Sequence, residues 1–127
     1  MLMTIVCGGR AFNDRNRMFT ELHRLDKARG PLFIIQGGQV SDDHERGTLH
    51  GADYLAKLWA AENGRACATV HAWWDTLGRG AGPIRNGWML QLQPELVVAF
   101  PGGAGTANMV NQARAAGIEV MEVGHGQ

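Results

Sequence analysis

Short runs of apolar residues recur along the chain, and each run ends in glycine or in polar residues. An unbroken apolar run of about four to eight residues is typical of a strand that is buried on both faces. The segment at 118–123 instead alternates apolar and acidic residues, as an edge strand with one exposed face does. The pattern predicts five strands, at 2–7, 32–36, 66–72, 95–100 and 118–123.

Segments with helical spacing lie between these strands. Met18, Leu22 and Leu25 lie three or four residues apart, so they share one face of a helix that follows Asn13 or Asp14. The same reasoning predicts a helix that begins at 51–53, a helix over 84–92 with Pro83 in its first turn, and a helix over 107–116. We expect an exposed loop at 39–50, which is polar and charged, and a mobile loop at 76–83, which contains three glycines.

Strands and helices alternate through the whole sequence. Helical crossovers between buried strands require a parallel sheet with helices on its faces, so the pattern predicts an α/β fold. Right-handed crossovers leave few topologies, and the commonest small one has strand order 3-2-1-4-5. We therefore expect residues 1–127 to form one domain, a Rossmann-like three-layer sandwich with a five-stranded parallel sheet.

Composition and charge narrow the class of protein. The 127-residue chain is 45% hydrophobic and 19% charged, which is typical of a globular domain. Its formal net charge is +0, so it lacks the basic surface that non-specific nucleic-acid binding requires. No apolar run approaches the roughly 20 residues of a membrane span, and no secretion signal opens the chain. We expect a cytoplasmic protein with no membrane partner.

The two cysteines and the polar loop offer little metal chemistry. Cys7 and Cys67 fall on strands one and three, which an intervening strand holds roughly 10 Å apart, so we expect both thiols to stay reduced. A metal site at Asp42, Asp43, His44 and His50 is conceivable, but their spacing matches no ligand pattern. A solvated loop is the preferred interpretation, and we predict neither a metal nor a cofactor.

The candidate binding site follows from the strand order. Strands one and four are neighbours, and ligands bind beyond the carboxyl ends of the strands where the chain reverses direction. Glycines in the two emerging turns let the backbone approach an anion, and the following helix points N–H groups toward it, with Thr106 as candidate N-cap. A tight connection with nothing bound is the alternative. The candidate ligand-binding residues of these turns are Gly8, Gly9, Pro101, Gly102, Gly103, Gly105 and Thr106, with phosphate expected on the 102–106 turn.

Side chains near the same crevice supply further candidates. Arg85 falls in the first turn of the predicted third helix, where a cation opposes the helix dipole and so suggests an anionic partner. Arg10 leaves strand one toward the crevice, and either arginine could instead be a surface residue. Asp53 either stabilises its helix terminus or accepts bonds from ribose hydroxyls. Asn86 either contacts a ligand or caps locally.

Two more features complete the candidate site. Strand two ends in Gly37 and Gly38, and Gly38 is included among the candidate ligand-binding residues. Trp73 and Trp74 follow strand three and could stack a base, with core packing or a subunit contact as the alternative use.

A set of segments spanning nearly the whole chain carries a family resemblance: Gly8–Gly9–Arg10 with Phe12, Gly37–Gly38, Gly51–Ala52–Asp53, Trp74, residues 81–86 with Met89, and residues 100–106. In these residues the chain resembles the SLOG superfamily, a Rossmann-like group that includes the DNA-processing protein DprA and the LOG phosphoribohydrolases. It is most similar to the YspA-like branch, a bacterial and phage domain of unknown function. The polar stretch at 39–50 departs from that pattern, because the family usually runs quickly from the glycines into Gly-Ala-Asp.

The resemblance implies a nucleotide or nucleotide-derived ligand held by the Pro-Gly-Gly-x-Gly-Thr turn. In LOG enzymes that turn continues to an acidic pair used to cleave a base from a nucleoside monophosphate, and an Arg-Lys-x-x-Met motif supplies an arginine. Arg85 and Met89 match the arginine and methionine of that motif, whereas Asn108 and Met109 stand at the positions of the acidic pair. The resemblance therefore supports the anion site but not the hydrolytic pair.

These observations favour binding of a nucleotide-like small molecule, with sensing as a possible purpose. The alternative is a nucleotide N-glycoside hydrolase that uses a different carboxylate, with Asp53 as its candidate. A DNA-binding protein of the DprA kind is the least favoured reading, given the neutral charge. We also expect a homo-oligomer, specifically a dimer, because apolar residues spread beyond one face of the third helix: Ile84, Trp88, Met89, Leu90 and Leu92.

Overall fold

A computed structural model of the chain describes residues 1–43 and 48–124. The strands of its main sheet are β1 (Leu2–Cys7), β2 (Leu32–Gln36), β5 (Cys67–Thr69), β6 (Leu96–Ala99) and β7 (Glu119–Glu122). Two further strands, β3 (Ser41–Asp43) and β4 (Thr48–His50), pair with each other outside that sheet. The helices are α1 (Arg15–Arg29), α2 (Ala52–Glu62), α3 (Trp74–Leu77), α4 (Ala81–Gln91) and α5 (Ala104–Ala115), with a 3-10 turn at Gly78–Gly80.

The main sheet has the order β5-β2-β1-β6-β7, and every pair in it is parallel. Numbering its strands along the chain turns this order into 3-2-1-4-5, so the predicted topology is confirmed. The sheet is parallel because helices return the chain to the same edge after each strand. Its register pairs Cys7 with Ala99, which brings the ends of β1 and β6 side by side.

Apolar side chains alternate between the two faces of the sheet and build a core on each. On one face Val6 joins Met18 and Leu22 of α1 and Trp59 of α2. On the other face Ile5 joins residues of α4 and α5. The predicted three-layer sandwich is therefore confirmed, as is the edge position of β7, whose residues are half-buried or exposed. The core residues of the second face are Ile5, Ile35, Met89, Val97, Met109 and Ala113.

The helix ends agree with most of the sequence signals. Asp14 caps α1, and its carboxylate accepts a bond from the Arg17 N–H at 3.0 Å. Gly64 follows the end of α2 with a φ of 64°, and Gly117 follows the end of α5 with a φ of 75°. Both glycines adopt a left-handed conformation that a side chain would strain.

The prediction of a loop throughout 39–50 is wrong for two parts of that segment. There β3 and β4 form an antiparallel pair, with partners from Ser41↔His50 to Asp43↔Thr48. Each strand has only three residues, and polar side chains hide such short strands from a search for apolar alternation. The candidate metal residue His44 lies outside the described residues, as does the side chain of Asp43.

The segment expected to be a loop at 76–83 is instead mostly helical. It contains the end of α3, the 3-10 turn and the first turn of α4. Pro83 lies in that first turn as predicted, but the helix begins earlier, at Ala81, whose side chain is fully buried. Burial of Ala81 offsets the low helix propensity of the neighbouring glycines, because packing often overrides local preference.

Candidate functional site

Two glycine-containing turns meet where β1 and β6 end. The Gly9 N–H donates a hydrogen bond of 2.9 Å to the Pro101 carbonyl oxygen, which joins the turns directly. A Cβ atom at Gly8 would lie 2.7 Å from the Cβ of Ala52, and one at Gly9 would lie 3.2 Å from the Cα of Gly102. The turns approach each other, and the start of α2, so closely that these two positions leave little room for a side chain.

A cavity of about 380 Å³ opens between these turns and the starts of α2, α4 and α5. We call it the switch-point cleft. It brings together most of the predicted site residues, including Arg10, Asp53, Arg85 and Asn86. Its lining residues are Cys7, Gly8, Gly9, Arg10, Gly37, Gln39, Asp53, Trp74, Gly82, Arg85, Asn86, Met89, Gly103, Gly105 and Thr106.

Three predicted residues do not line the cleft. Gly38 has a φ of 76°, and a Cβ atom there would lie 2.6 Å from the His71 ring, so the residue faces β5. Pro101 and Gly102 shape the turn behind the cleft and line an adjoining cavity with Phe12. A Cβ atom at Gly102 would collide with the Thr106 hydroxyl, so this glycine serves the turn itself.

The glycine turn leads straight into α5, whose N-cap is Gly103. Thr106 is therefore the third residue of the helix, and its prediction as the N-cap is wrong. The helix begins early because the turn is completed by Gly103, which leaves Ala104 and Gly105 in the first turn. The first N–H groups of an α-helix have no partner within the helix, and Gly103, Gly105 and Thr106 all border the cleft.

Arg85 lies deeper than its sequence position suggested. Because α4 begins at Ala81, Arg85 falls in the second turn and not the first, which corrects the helix-dipole argument. Its side chain is buried, and its Nη1 donates to the Gly37 carbonyl at 2.8 Å and to the Val70 carbonyl at 3.4 Å. Burial lowers the pKa of the guanidinium, while the nearby Asp53 carboxylate opposes that shift. Arg85 thus ties α4 to the ends of β2 and β5.

Asp53 faces Arg85 across the floor of the cleft. It occupies the first turn of α2, as predicted, and only 7% of its surface is exposed. Its Oδ2 accepts a hydrogen bond from the Gln39 N–H at 3.1 Å. Burial raises the pKa of the carboxyl, and the bonds from backbone N–H groups and the charge of Arg85 act in the opposite direction. A buried carboxylate beside a buried guanidinium gives the floor a polar, charge-balanced character.

The Asn86 side chain makes hydrogen bonds to other residues of the protein. Its Nδ2 donates to the Gly105 carbonyl at 3.2 Å and to the Asn108 Oδ1 at 3.1 Å, and its Oδ1 accepts a bond from the Arg85 Nε. The Gln112 Nε2 also donates to the Asn108 Oδ1, at 2.7 Å. This amide network holds α4 against the first turn of α5 and so fixes the glycine turn relative to Arg85.

Arg10 and Trp74 form the outer rim of the cleft. Arg10 is exposed, and its Cζ lies 5.7 Å from the centre of the Trp74 ring, within reach of a cation–π interaction. Trp73 does not line the cleft; its ring packs edge-on against Trp88 with 5.2 Å between centroids. The structure therefore separates two adjacent tryptophans that hydrophobic spacing alone does not distinguish.

Some lining residues were not among the predicted ligand contacts. Glycine at position 37 leaves room for the Arg85 side chain, because a Cβ atom at position 37 would lie 2.6 Å from the guanidinium carbon. Gln39 supplies a backbone N–H to Asp53, a role that no side-chain pattern reveals. Cys7 forms part of the floor, and burial raises the pKa of its thiol to about 12. The sequence signal that could have identified Cys7 as a lining residue was its position at the end of β1, next to Gly8.

The positions of the LOG acidic pair are neutral in this chain. Asn108 belongs to the amide network, and Met109 is almost fully buried in the core beneath α5. Within residues 1–43 and 48–124, no three His, Cys, Asp or Glu side chains are grouped so that they could hold a metal ion. Among the described residues that line the cleft, Asp53 is the acidic one.

Cys7 and Cys67 are both free, and β2 separates their strands in the sheet. None of the helices in the described part of the chain combines the length and the hydropathy needed to cross a bilayer.

Comparisons with known proteins find a similar phage protein and a matching family. The chain is similar to the Gene 61 protein of Mycobacterium phage D29, with 29% identity over 98% of each chain. No solved structure gave a significant match. The profile of the family described as "YspA, cpYpsA-related SLOG family" matches residues 3–76, which run from β1 through the Gly8–Gly9–Arg10 turn and Asp53 to α3. With more than half of its length matched, the chain belongs to the YspA, cpYpsA-related SLOG family.

Proposed function

We propose that the switch-point cleft binds a nucleotide or nucleotide-derived ligand and that the protein is a binding module, with sensing as its use. Membership of the SLOG family suggests nucleotide-related binding or activity in general terms. The finer statement rests on the cleft itself, whose place beyond the ends of β1 and β6 is where open α/β sheets bind their ligands.

The observation that carries this proposal is the convergence of two nearly side-chain-free turns with the start of a long helix. Gly8 and Gly9 border the cleft on one side, and Gly103 and Gly105 border it on the other. Exposed backbone N–H groups at the start of α5 suit a phosphate, because they offer both hydrogen bonds and the positive end of the helix dipole. Arg10 and Arg85 add positive charge to the same cavity.

Asp53 suits the sugar of such a ligand. Its carboxylate borders the cleft and is an acceptor that can pair with ribose hydroxyl groups. The bond from Gln39 and the nearby Arg85 hold it in place, so binding would not require the carboxylate to be ordered first. In this arrangement phosphate lies against residues 103–106, the part of the predicted 102–106 turn that lines the cleft, and ribose lies toward the floor.

A thermal-shift screen with paired probes tests the proposal. The probes are inorganic phosphate, ribose 5-phosphate, adenosine and the four ribonucleoside 5′-monophosphates. A ligand at 100 times its Kd stabilises the folded state by about 2.7 kcal/mol, which raises Tm by several degrees. We expect phosphorylated probes to raise Tm and adenosine alone to do so less. If no phosphorylated probe changes Tm or binds by calorimetry, the anion site is refuted.

A second candidate function is N-glycoside hydrolysis with Asp53 as the carboxylate. It is favoured by one observation: Asp53 is buried in the cleft, and burial raises its pKa toward the range that suits proton transfer. Against it, Asp53 already accepts the Gln39 bond, and the positions of the LOG acidic pair hold Asn108 and Met109. We therefore propose binding without turnover.

Chromatography of the same mixtures separates the two functions. Hydrolysis of a nucleoside monophosphate releases free base and ribose 5-phosphate. We expect no base release above the uncatalysed background, because Asp53 is already bonded to the Gln39 N–H and Asn108 and Met109 cannot supply the general acid–base catalysis that is worth about 10²–10⁴-fold. Rapid release that disappears in Asp53→Asn but persists in an exposed-carboxylate control, Glu95→Gln, would establish the enzyme instead.

A further inference from the structure

We propose that Trp74 is the platform on which an aromatic base of the bound ligand stacks. This inference rests on the proposed nucleotide-binding function and assigns the base to one wall of the switch-point cleft. The phosphate turn and the Trp74 ring border the same cavity of about 380 Å³. A ligand whose phosphate lies on the turn can therefore direct its other end toward Trp74.

The two neighbouring tryptophans give the first argument. Trp73 is 59% exposed and packs against Trp88, away from the lining of the cleft. Trp74 is 43% exposed and lines the cleft with Gly82. A large aromatic side chain that borders a polar cavity and keeps much of its surface accessible offers the π-face that a base needs.

The surroundings of the ring give the second argument. A Cβ atom at position 82 would lie 3.2 Å from the Cη2 atom of Trp74, so Gly82 permits α4 to pack closely against one edge of the indole. The Arg10 guanidinium lies over the ring, with its Cζ 5.7 Å from the centroid. One edge of the ring is thus positioned by packing, whereas its face is covered by a flexible, exposed side chain.

The relative strength of two interactions decides what happens when a ligand enters. Stacking of a base on an aromatic side chain is typically stronger than a cation–π contact at an exposed site. A base therefore displaces the Arg10 guanidinium from the ring. Arg10 also borders the cleft, so the displaced guanidinium remains within the cavity that holds the phosphate. Binding exchanges the Arg10–Trp74 contact for a base–Trp74 contact and an arginine–phosphate contact.

The class of ligand follows from this chemistry. Stacking uses the π-face that every base has. It therefore favours ligands that carry a base over ligands that lack one, and it selects only weakly among the bases. The ligand expected at this wall is any phosphorylated nucleoside, whereas a sugar phosphate lacks the group that Trp74 recognises.

Paired probes test the platform separately from the anion site. Calorimetry compares the four ribonucleoside 5′-monophosphates with ribose 5-phosphate on the wild type, on Trp74→Ala and on the matched control Trp73→Ala. We expect Trp74→Ala to weaken nucleotide binding by about 5- to 100-fold and to leave ribose 5-phosphate binding unchanged. We expect Trp73→Ala to change neither.

The outcomes distinguish the two levels of the proposal. Equal losses for nucleotides and ribose 5-phosphate in Trp74→Ala, or no loss for nucleotides, would contradict the platform. If the wild type binds ribose 5-phosphate as tightly as nucleotides, the platform is wrong while the anion site stands. If the wild type binds none of these probes, the proposed function itself fails.

Fluorescence supplies a second measurement that does not depend on the alanine variant folding. The chain has four tryptophans, and a base stacked on one of them should quench its emission. We expect nucleotides to quench the wild type and Trp73→Phe but to lose that component in Trp74→Phe, which keeps an aromatic ring. Undiminished quenching in Trp74→Phe would overturn the assignment.

Discussion

Arg85 serves the fold and borders the cleft with the same guanidinium. Its Nη1 bonds to the Gly37 and Val70 carbonyls, and its charge faces the buried Asp53. Arg85→Ala should weaken binding of a phosphorylated ligand by about 1.5–3 kcal/mol, the scale of a charge-assisted hydrogen bond. It should also lower the free energy of unfolding by about 1–3 kcal/mol, because buried carbonyls and a buried carboxylate lose their partner.

The two effects can be measured apart. Calorimetry gives the Kd at a temperature where circular dichroism shows the variant folded, and urea unfolding gives its stability. Arg79→Ala is the matched control, since Arg79 is exposed in the 3-10 turn and does not line the cleft. Unchanged affinity in a folded Arg85→Ala protein would remove Arg85 from the site.

The two thiols should differ sharply in reactivity. Cys67 is exposed, although partial burial raises the pKa of its thiol, whereas Cys7 lies in the floor of the cleft, where burial raises the pKa to about 12. At pH 8 a thiol with that pKa is ionised only to about one part in 10⁴, and the thiolate is the reactive form. A chromogenic disulfide reagent should label one thiol of the native protein quickly and both in urea. Cys67→Ser should abolish the fast phase; rapid labelling that persists would place Cys7 in solvent.

Asn108 offers a way to test whether a missing carboxylate alone prevents catalysis. Its Oδ1 accepts two amide hydrogen bonds, and Asn108→Asp keeps that acceptor while adding charge. Replacing Met109 as well is unsuitable, because a glutamate there would bury a charge in the core. We expect Asn108→Asp to fold, bind and release no base. Base release by this variant would show that the rest of the cleft is already arranged for hydrolysis.

At the scale of elements, the glycines that line the cleft divide into positions closed by neighbouring protein atoms and positions with open space for a side chain. A Cβ atom at Gly8 would lie 2.7 Å from Ala52, whereas one at Gly103 would meet nothing within 4 Å. A side chain at position 103 would therefore avoid the collision found at Gly8, and blocking of the ligand is the main effect expected of a valine there.

This division predicts opposite outcomes for two substitutions. Gly103→Val should reduce binding of phosphorylated probes by about tenfold or more, because its side chain occupies the proposed place of the phosphate, and it should lower Tm less than Gly8→Val does. Gly8→Val should lower Tm, because β1 and α2 cannot approach as closely. Differential scanning calorimetry and titration calorimetry measure both. Full affinity in Gly103→Val would show that the phosphate lies elsewhere.

At the scale of the whole molecule, α4 presents an apolar stripe to solvent. Ile84, Trp88 and Leu92 follow each other at four-residue intervals, so they share one face of the helix. Ile84 is 42% exposed, Leu92 is 45% exposed, and the exposed Trp73 packs against Trp88. Contiguous apolar surface of this kind usually marks a contact between molecules.

We predict that this stripe mediates self-association into a dimer. Sedimentation velocity at micromolar concentration should show a species of twice the chain mass, and Leu92→Glu should dissociate it. Lys57→Glu, an exposed change on α2 on the opposite side of the sheet, is the control for charge. A wild-type protein that sediments as a monomer would contradict the prediction. The expectation of a single domain likewise predicts one cooperative unfolding transition for each subunit.

The amino-acid sequence by itself determined the architecture. Four apolar runs and one alternating segment, separated by helical spacing, led to the parallel sheet and its order, because periodicity and chain connectivity are local properties with few global solutions. The same order predicted that the turns after β1 and β6 would meet, and the Gly9–Pro101 hydrogen bond joins them. The motif residues also sufficed to recognise the SLOG family.

Only the tertiary structure decided what individual polar and aromatic side chains do. Whether Arg85 was a first-turn surface cation or a buried donor depended on where α4 begins, and the burial of Ala81 set that point. Trp73 and Trp74 have the same local pattern but face different neighbours. These roles depend on contacts between residues far apart in the chain, which hydrophobic spacing does not encode.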